Sequence, residues 1–139
     1  MTVPPRPVRL EDLGAFLAGS PFHRMLGLSL LRARAGEVEV TLPFRAEFLA
    51  DPEADYVHGG LIATLIDVAG CFAVISAAGH DVPTLDLRVD YLRPAGREPL
   101  TATARSIRTG RTFGVADVEV KDAQGRVVAV GRGLYGTGA

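Results

Sequence analysis

A single charge sits inside the long apolar run of this chain, and few folds can accommodate it. The run is Tyr56-Val57-His58-Gly59-Gly60-Leu61-Ile62-Ala63-Thr64-Leu65-Ile66-Asp67-Val68-Ala69-Gly70-Cys71-Phe72-Ala73-Val74-Ile75-Ser76-Ala77-Ala78-Gly79. Ala, Leu and Ile dominate it and Gly79 is a stop signal, so the composition predicts a helix from about Gly60 to Ala78. Apolar residues lie on every face, which implies burial nearly all round. The length just suffices to cross a bilayer. Asp67, the glycines and the lack of a basic anchor on the Gly79 side argue against a span. An ionised carboxylate is costly to bury unless it is paired or opens onto a cleft. Asp67 is therefore either a hydrogen-bonded core residue or a catalytic carboxylate at the edge of a cleft.

Bulk properties narrow the surroundings. The chain has 139 residues, 47% of them hydrophobic, which suits one folded domain with a real core. A formal net charge of -1 gives no general reason to expect a nucleic-acid partner. The basic residues are nearly all Arg, with Lys121 the only Lys. Cys71 is the only cysteine, which excludes an intrachain disulfide and a cysteine metal cluster. Among apolar neighbours it reads as inert packing. No metal-ligand spacing, nucleotide-binding glycine loop or Ser or Cys nucleophile motif is present. The N-terminus lacks a signal-peptide core, so the default expectation is a soluble cytoplasmic protein.

In chain order, Met1 to Val8 is Pro-rich and reads as a loose arm. Leu10 to Ala18 is a short amphipathic helix, and Ser20-Pro21 caps a second one through Met25. Leu28–Arg34 and Glu37–Leu42 form a strand pair around Ala35-Gly36, followed by an acidic loop over Ala46–Tyr56. After the central helix come only strands. Thr84–Arg93 alternates, with Leu85, Leu87, Val89 and Tyr91 on one face and Asp86, Arg88 and Asp90 on the other. Leu100–Arg108, Arg111–Lys121 and Arg126–Tyr135 complete the set, with a hairpin at Asp122–Gly125. The class is α+β, a long helix against about six antiparallel strands. One helix cannot cover both faces of such a sheet, so another face or edge is expected to meet a second subunit.

His58-Gly59-Gly60, then Leu65, Asp67 and Gly70, and later Tyr91-Leu92-Arg93-Pro94-Ala95, set in this element order, resemble the hot-dog fold acyl-CoA thioesterases, in particular their phenylacetate-pathway-like (PaaI-like) branch. The resemblance runs from about Leu26 to Tyr135 and implies a hot-dog domain over 26–139, preceded by an arm and short helices over 1–25. It implies Asp67 as base or nucleophile, the Gly59 N–H as the donor that polarises the thioester carbonyl, and Thr84 as an assisting hydroxyl. It also implies no cofactor beyond the coenzyme A of the substrate, and a homo-oligomer. The sequence departs from the pattern at Pro52, where many members carry Asn six residues before the motif His.

The physics of such a site is simple. A backbone N–H at a helix N-terminus suits a developing oxyanion, and glycine allows the acyl group to come close. His58 fits a structural hydrogen bond as well as a chemical role. Gly60, Arg93, Arg108 and Arg111 are candidates to bind substrate, the arginines through coenzyme A phosphates or, more simply, as solvated surface. The function expected is hydrolysis of an aryl- or medium-chain fatty acyl-CoA. The alternatives are a non-catalytic acyl-CoA-binding protein and a hot-dog hydratase or dehydratase. Gly59 and Asp67 are eight residues apart, roughly 12 Å along a helix. One helix cannot easily bring both to one thioester, so two sites shared between subunits are expected in a dimer or dimer of dimers, with no metal and no membrane partner.

Overall fold

The structure, a computed structural model, describes residues 4–138. A 3-10 turn at Leu10–Asp12 leads into α1 (Leu13–Ala18) and α2 (Pro21–Leu26). Then follow β1 (Ser29–Arg34), β2 (Glu37–Leu42), the long helix α3 (Gly59–Ala78), β3 (Thr84–Tyr91), β4 (Leu100–Thr109), β5 (Phe113–Lys121) and β6 (Val127–Gly136). The strands form one antiparallel sheet in the order β1-β2-β4-β5-β6-β3. Helix α3 lies across its middle strands, and Gly79 closes it in the left-handed conformation that glycine tolerates best. This is the α+β hot-dog architecture: a long central helix wrapped by a six-stranded sheet.

Period-two alternation explains which face the helix covers. Val38, Val40 and Leu42 of β2, Ala102 and Ala104 of β4, Ala116, Val118 and Val120 of β5, and Ala129 of β6 are buried under α3. Small residues at the centre of that list let the helix sit close. Leu13 and Leu17 of α1 are fully buried in the same core, so the short N-terminal helices pack into it.

Three expectations need correction. Met1–Val3 lie outside the described residues, but the rest of the arm is not loose. Val8 N–H donates to Gly79 O, Asp81 N–H to Arg6 O, and Pro7 bridges His80. Backbone pairing across so many residues leaves no local mark in a Pro-rich stretch.

The helix is not buried all round either. Gly60 is exposed, and Ala63, Thr64, Asp67 and Cys71 are half-exposed. They fall at three- and four-residue steps, so they form one stripe that the chain's own sheet does not cover.

The third correction concerns β3. A register shift between Thr84 and Asp86 turns Leu85 away from Leu87 and Val89. Thr84 therefore faces the helix, while Leu85 is 58% exposed.

Candidate active site

The start of α3 is built from hydrogen bonds that leave one donor free. His58 is the N-cap: its Nδ1 accepts the Gly60 N–H at 2.9 Å. Its own N–H donates to Phe48 O, and its carbonyl accepts from Leu61 N–H. Because Nδ1 is an acceptor here, the ring carries its proton on Nε2. The Tyr91 hydroxyl donates to Gly59 O at 2.6 Å. Only the Gly59 N–H has no acceptor among the described residues. Two side chains close in on the two glycines. A Cβ on Gly60 would lie 3.0 Å from His58 Nδ1, and one on Gly59 would lie 3.3 Å from Tyr91 Cζ. The glycines thus let the cap form and leave an uncovered donor at the positive end of the helix.

The second half of the site lies two turns further on. Asp67 projects from the half-exposed stripe, and Thr84 Oγ1 donates to its Oδ1 at 2.8 Å. Asp67 Oδ2 has no hydrogen-bond partner among the described residues. The Asp67 carbonyl accepts the Tyr135 hydroxyl at 3.0 Å. Cys71 lies one turn along, with Sγ 3.5 Å from Val82 O. Burial pushes its thiol up to about 12, and Asp67 and Asp81 add to the effect, so it stays protonated and is no nucleophile.

Asp67 and Thr84 therefore come together, and so do His58, Gly59 and Gly60, but the two groups stay apart. Tyr91, at one end of β3, touches Gly59; Thr84, at the other end, touches Asp67. The candidate arginines divide the same way. Arg93 follows Tyr91, at the Gly59 end. Arg108 and Arg111 flank the β4–β5 turn at the Asp67 end, where Thr84, Tyr135, Gly114 and Thr109 are register neighbours. With Gly110, Thr112 and Phe113 they line a hollow of about 320 Å³, and the Arg108 guanidinium lies 5.9 Å from the Phe113 ring. A larger hollow of about 660 Å³ lies on the outer face of the sheet. It is a ladder of compensated charge: Glu37 opposes Arg105, Arg105 opposes Asp117, and Asp117 holds Arg132 with two bonds of 2.6 and 2.9 Å. It contains neither Asp67 nor Gly59.

A profile of the thioesterase superfamily matches residues 54–129, the stretch that carries both half-sites. The chain belongs to the thioesterase superfamily. Among its relatives is a Halobacterium salinarum protein with only the general name esterase, 43% identical over 121 residues, which are 79% of this chain and 80% of that one. The medium/long-chain acyl-CoA thioesterase YigI of Escherichia coli is 29% identical over 138 residues, 88% of this chain and 89% of its own. The solved structure of E. coli PaaI, from the phenylacetic acid degradation operon, superposes with a TM-score of 0.83 at 28% identity, covering 91% of this chain and 90% of that one. The thioesterase superfamily member is thus an enzyme of the thioester-hydrolase class, on the fold that the motif implied.

Two residues at the site carried no assigned role in the sequence reading. Tyr91 entered as a strand residue and as part of a motif, and Tyr135 only as a strand end. A weak signal for Tyr135 existed. Gly133 precedes it on the same strand face, and a small inward residue two places from a large one marks where its ring lies.

Proposed function

We propose that the protein hydrolyses acyl-CoA thioesters at two sites, each made from Asp67 of one subunit and the Gly59 N–H of another. The observation that carries this reading is the separation of the two half-sites along one unpaired edge strand. β3 has a neighbour on one side only, and Leu85, Tyr91 and Leu92 beside it are 58%, 53% and 57% exposed. A second copy paired antiparallel to β3 would bring its Tyr91 end beside Thr84, and with it a Gly59 N–H toward Asp67. The uncovered stripe of α3 would face the same stripe of its partner. Charge favours that pairing, because Arg88 stands between Asp86 and Asp90 on the outward face of β3 and can oppose an aspartate of the copy.

In this arrangement Thr84 holds one carboxylate oxygen and leaves Oδ2 for chemistry. As general base, Asp67 takes a proton from water while the water oxygen bonds to the thioester carbon. The carbonyl oxygen gains negative charge and is stabilised by the Gly59 N–H. The C–S bond then breaks, the acid departs, and the thiolate of coenzyme A takes up the proton. As nucleophile, Oδ2 bonds to the same carbon with loss of the thiolate, and water then cleaves the mixed anhydride. Neither route needs a cofactor. The acyl group is aryl or medium-chain fatty acyl. Arg108 and Arg111 of the Asp67 subunit, and Arg93 of the Gly59 subunit, are the cations we assign to the coenzyme A phosphates. The reading places the enzyme in the cytoplasm, as a dimer or a dimer of dimers.

Two inactive variants test it by mixing. Gly59→Pro removes the free N–H at a first-turn position that proline fits, and Asp67→Asn removes the carboxylate. Co-refolded in equal amounts, half of the dimers are mixed and each keeps one intact site. Thiol release from acyl-CoA should then return to about a quarter of wild type, given two-fold symmetry. No return, with mixed dimers confirmed by native mass spectrometry and Gly59→Pro shown to be folded, rules out the shared site.

A further inference from the structure

We propose that Tyr135 is a positioning residue for Asp67, and that Gly70 and Gly133 are glycines because its hydroxyl occupies the space beside them. The proposal rests on the reading that Asp67 performs the chemistry. Tyr135 is fully buried on β6, with its ring against α3. A Cβ placed on Gly70, or on Gly133, would overlap the phenol oxygen. Two backbones on opposite sides of one side chain are thus stripped of substituents where that oxygen lies. The hydroxyl passes through this slot to the Asp67 carbonyl, 3.0 Å away. Helix geometry already gives that carbonyl an acceptor role toward the N–H of Cys71, so the bond is additional to the helix's own. Burial above all, and then Asp67 and Cys71, raise the phenol well beyond its ordinary range, so it remains a donor at any working pH.

The interface between α3 and the sheet is otherwise almost wholly apolar, and apolar contact is non-directional. It resists separation better than it resists a slide or a roll of the helix. The directional ties are few. Tyr91 holds Gly59 at the first residue, and the Gly36 N–H donates to Ser76 Oγ at 2.9 Å near the last turn. In the eight-residue interval that sets the position of Asp67, both remaining ties to the strands converge on that one residue. Thr84 holds its carboxylate and Tyr135 holds its backbone. The two are direct partners on neighbouring strands, Thr84 opposite Tyr135. One pair of cross-strand neighbours therefore fixes both where the Asp67 main chain lies and where its side chain points. A displacement of an ångström at a reacting group can cost orders of magnitude in rate, so such a bond acts on turnover more than on binding.

The test is a double-mutant cycle on turnover, with Asp67→Asn measured in the same assay. Tyr135→Phe keeps the ring and removes only the oxygen. The expected result is a kcat lower by about fivefold, the equivalent of one ordinary hydrogen bond, with KM unchanged. Gly70→Ala should be worse than Tyr135→Phe, because its methyl forces the hydroxyl off the Asp67 carbonyl. In the Tyr135→Phe background the same methyl meets only ring and Val118 carbons, at 3.2 and 3.3 Å, so the double variant should be no slower than Gly70→Ala alone. The proposal is overturned if Tyr135→Phe lowers the melting temperature but leaves kcat unchanged, or if the two losses multiply. Should Asp67→Asn itself keep full turnover, the reading of Asp67 fails, whatever the cycle gives.

Discussion

Replacing Thr84 with Val removes one hydrogen-bond donor and little else, because the two side chains have the same shape. The donor is 2.8 Å from Asp67 Oδ1, at the end of the edge strand and exposed in the single chain. A hydrogen bond to an ionised group contributes about 1.5 to 3 kcal/mol, and the exposure places this one at the lower end, about 1.5 kcal/mol. If the whole amount is expressed in the transition state, the loss is about tenfold in kcat. Thr84→Ser keeps the donor and should stay within about twofold of wild type. A control comes from the other face of the sheet. Thr103 Oγ1 reaches Glu39 Oε1 at 3.4 Å, far from Asp67, so Thr103→Val should leave turnover unaltered. The assay is thiol release from a panel of acyl-CoAs, with melting curves to show that every variant is folded. If Thr84→Val keeps wild-type kcat, the bond positions nothing that matters to the rate.

Other consequences can be measured separately. His58→Ala should lower stability by about 1 kcal/mol through loss of the helix cap, whereas His58→Asn should restore both melting temperature and turnover; a dead but stable His58→Asn would give the imidazole a chemical role. With its thiol raised to about 12, Cys71 should resist iodoacetamide at pH 8 in the native protein although it is half-exposed, and react in denaturant; fast native labelling would contradict the raised thiol. Asp122, in the β5–β6 hairpin, is pushed up by burial but more than offset by the Arg126 and Gln124 N–H groups and the Arg126 guanidinium, so its carboxyl is held below the usual range. A depressed carboxylate stabilises the fold above its ordinary titration, about pH 4, and the contribution fades as pH falls through the lower folded value. The melting temperatures of wild type and Asp122→Asn should therefore differ at pH 7 and converge in acid; a gap that persists at low pH would refute this.

Much of the architecture can be read from periodicity. The α3 run, the β2 alternation of Val38, Val40 and Leu42, and the Asp122–Gly125 hairpin each carry a local pattern that the fold obeys. Leu85 shows where pattern fails. It alternates with Leu87 on paper, but the register shift at the start of β3 turns it outward, and a bulge has no mark in a string of strand-favouring residues. The site was legible in a different way. Asp67 is conspicuous as a charge in an apolar helix, whereas its pairing with Thr84 came from a family motif, since a lone strand threonine says nothing of what it faces. Tyr91 and Tyr135 escaped because each binds a backbone carbonyl, 32 and 68 residues away in sequence. Every residue has a carbonyl, so such an acceptor leaves no trace in composition or spacing.

The two half-sites also account for an edge strand that is only partly protected. An unpaired edge invites any strand, and charges of one sign along it are a common defence. β3 carries Asp86, Arg88 and Asp90 on its outward face instead. Placed against itself with Arg88 facing Arg88, the strand would set like charges together, while a shift of one pair brings each Arg88 opposite an aspartate. Alternating signs thus discourage indiscriminate pairing and favour an antiparallel copy in a restricted set of registers. Register matters here beyond assembly. The Gly59 donor and the Asp67 carboxylate are locked to opposite ends of β3 through Tyr91 and Thr84, so the alignment of two β3 strands sets the distance between them. If two subunits pair through β3 as proposed, the charges that select the partner would also set the geometry of the reaction, and a change at Arg88 should be felt by the chemistry although it touches neither Asp67 nor Gly59.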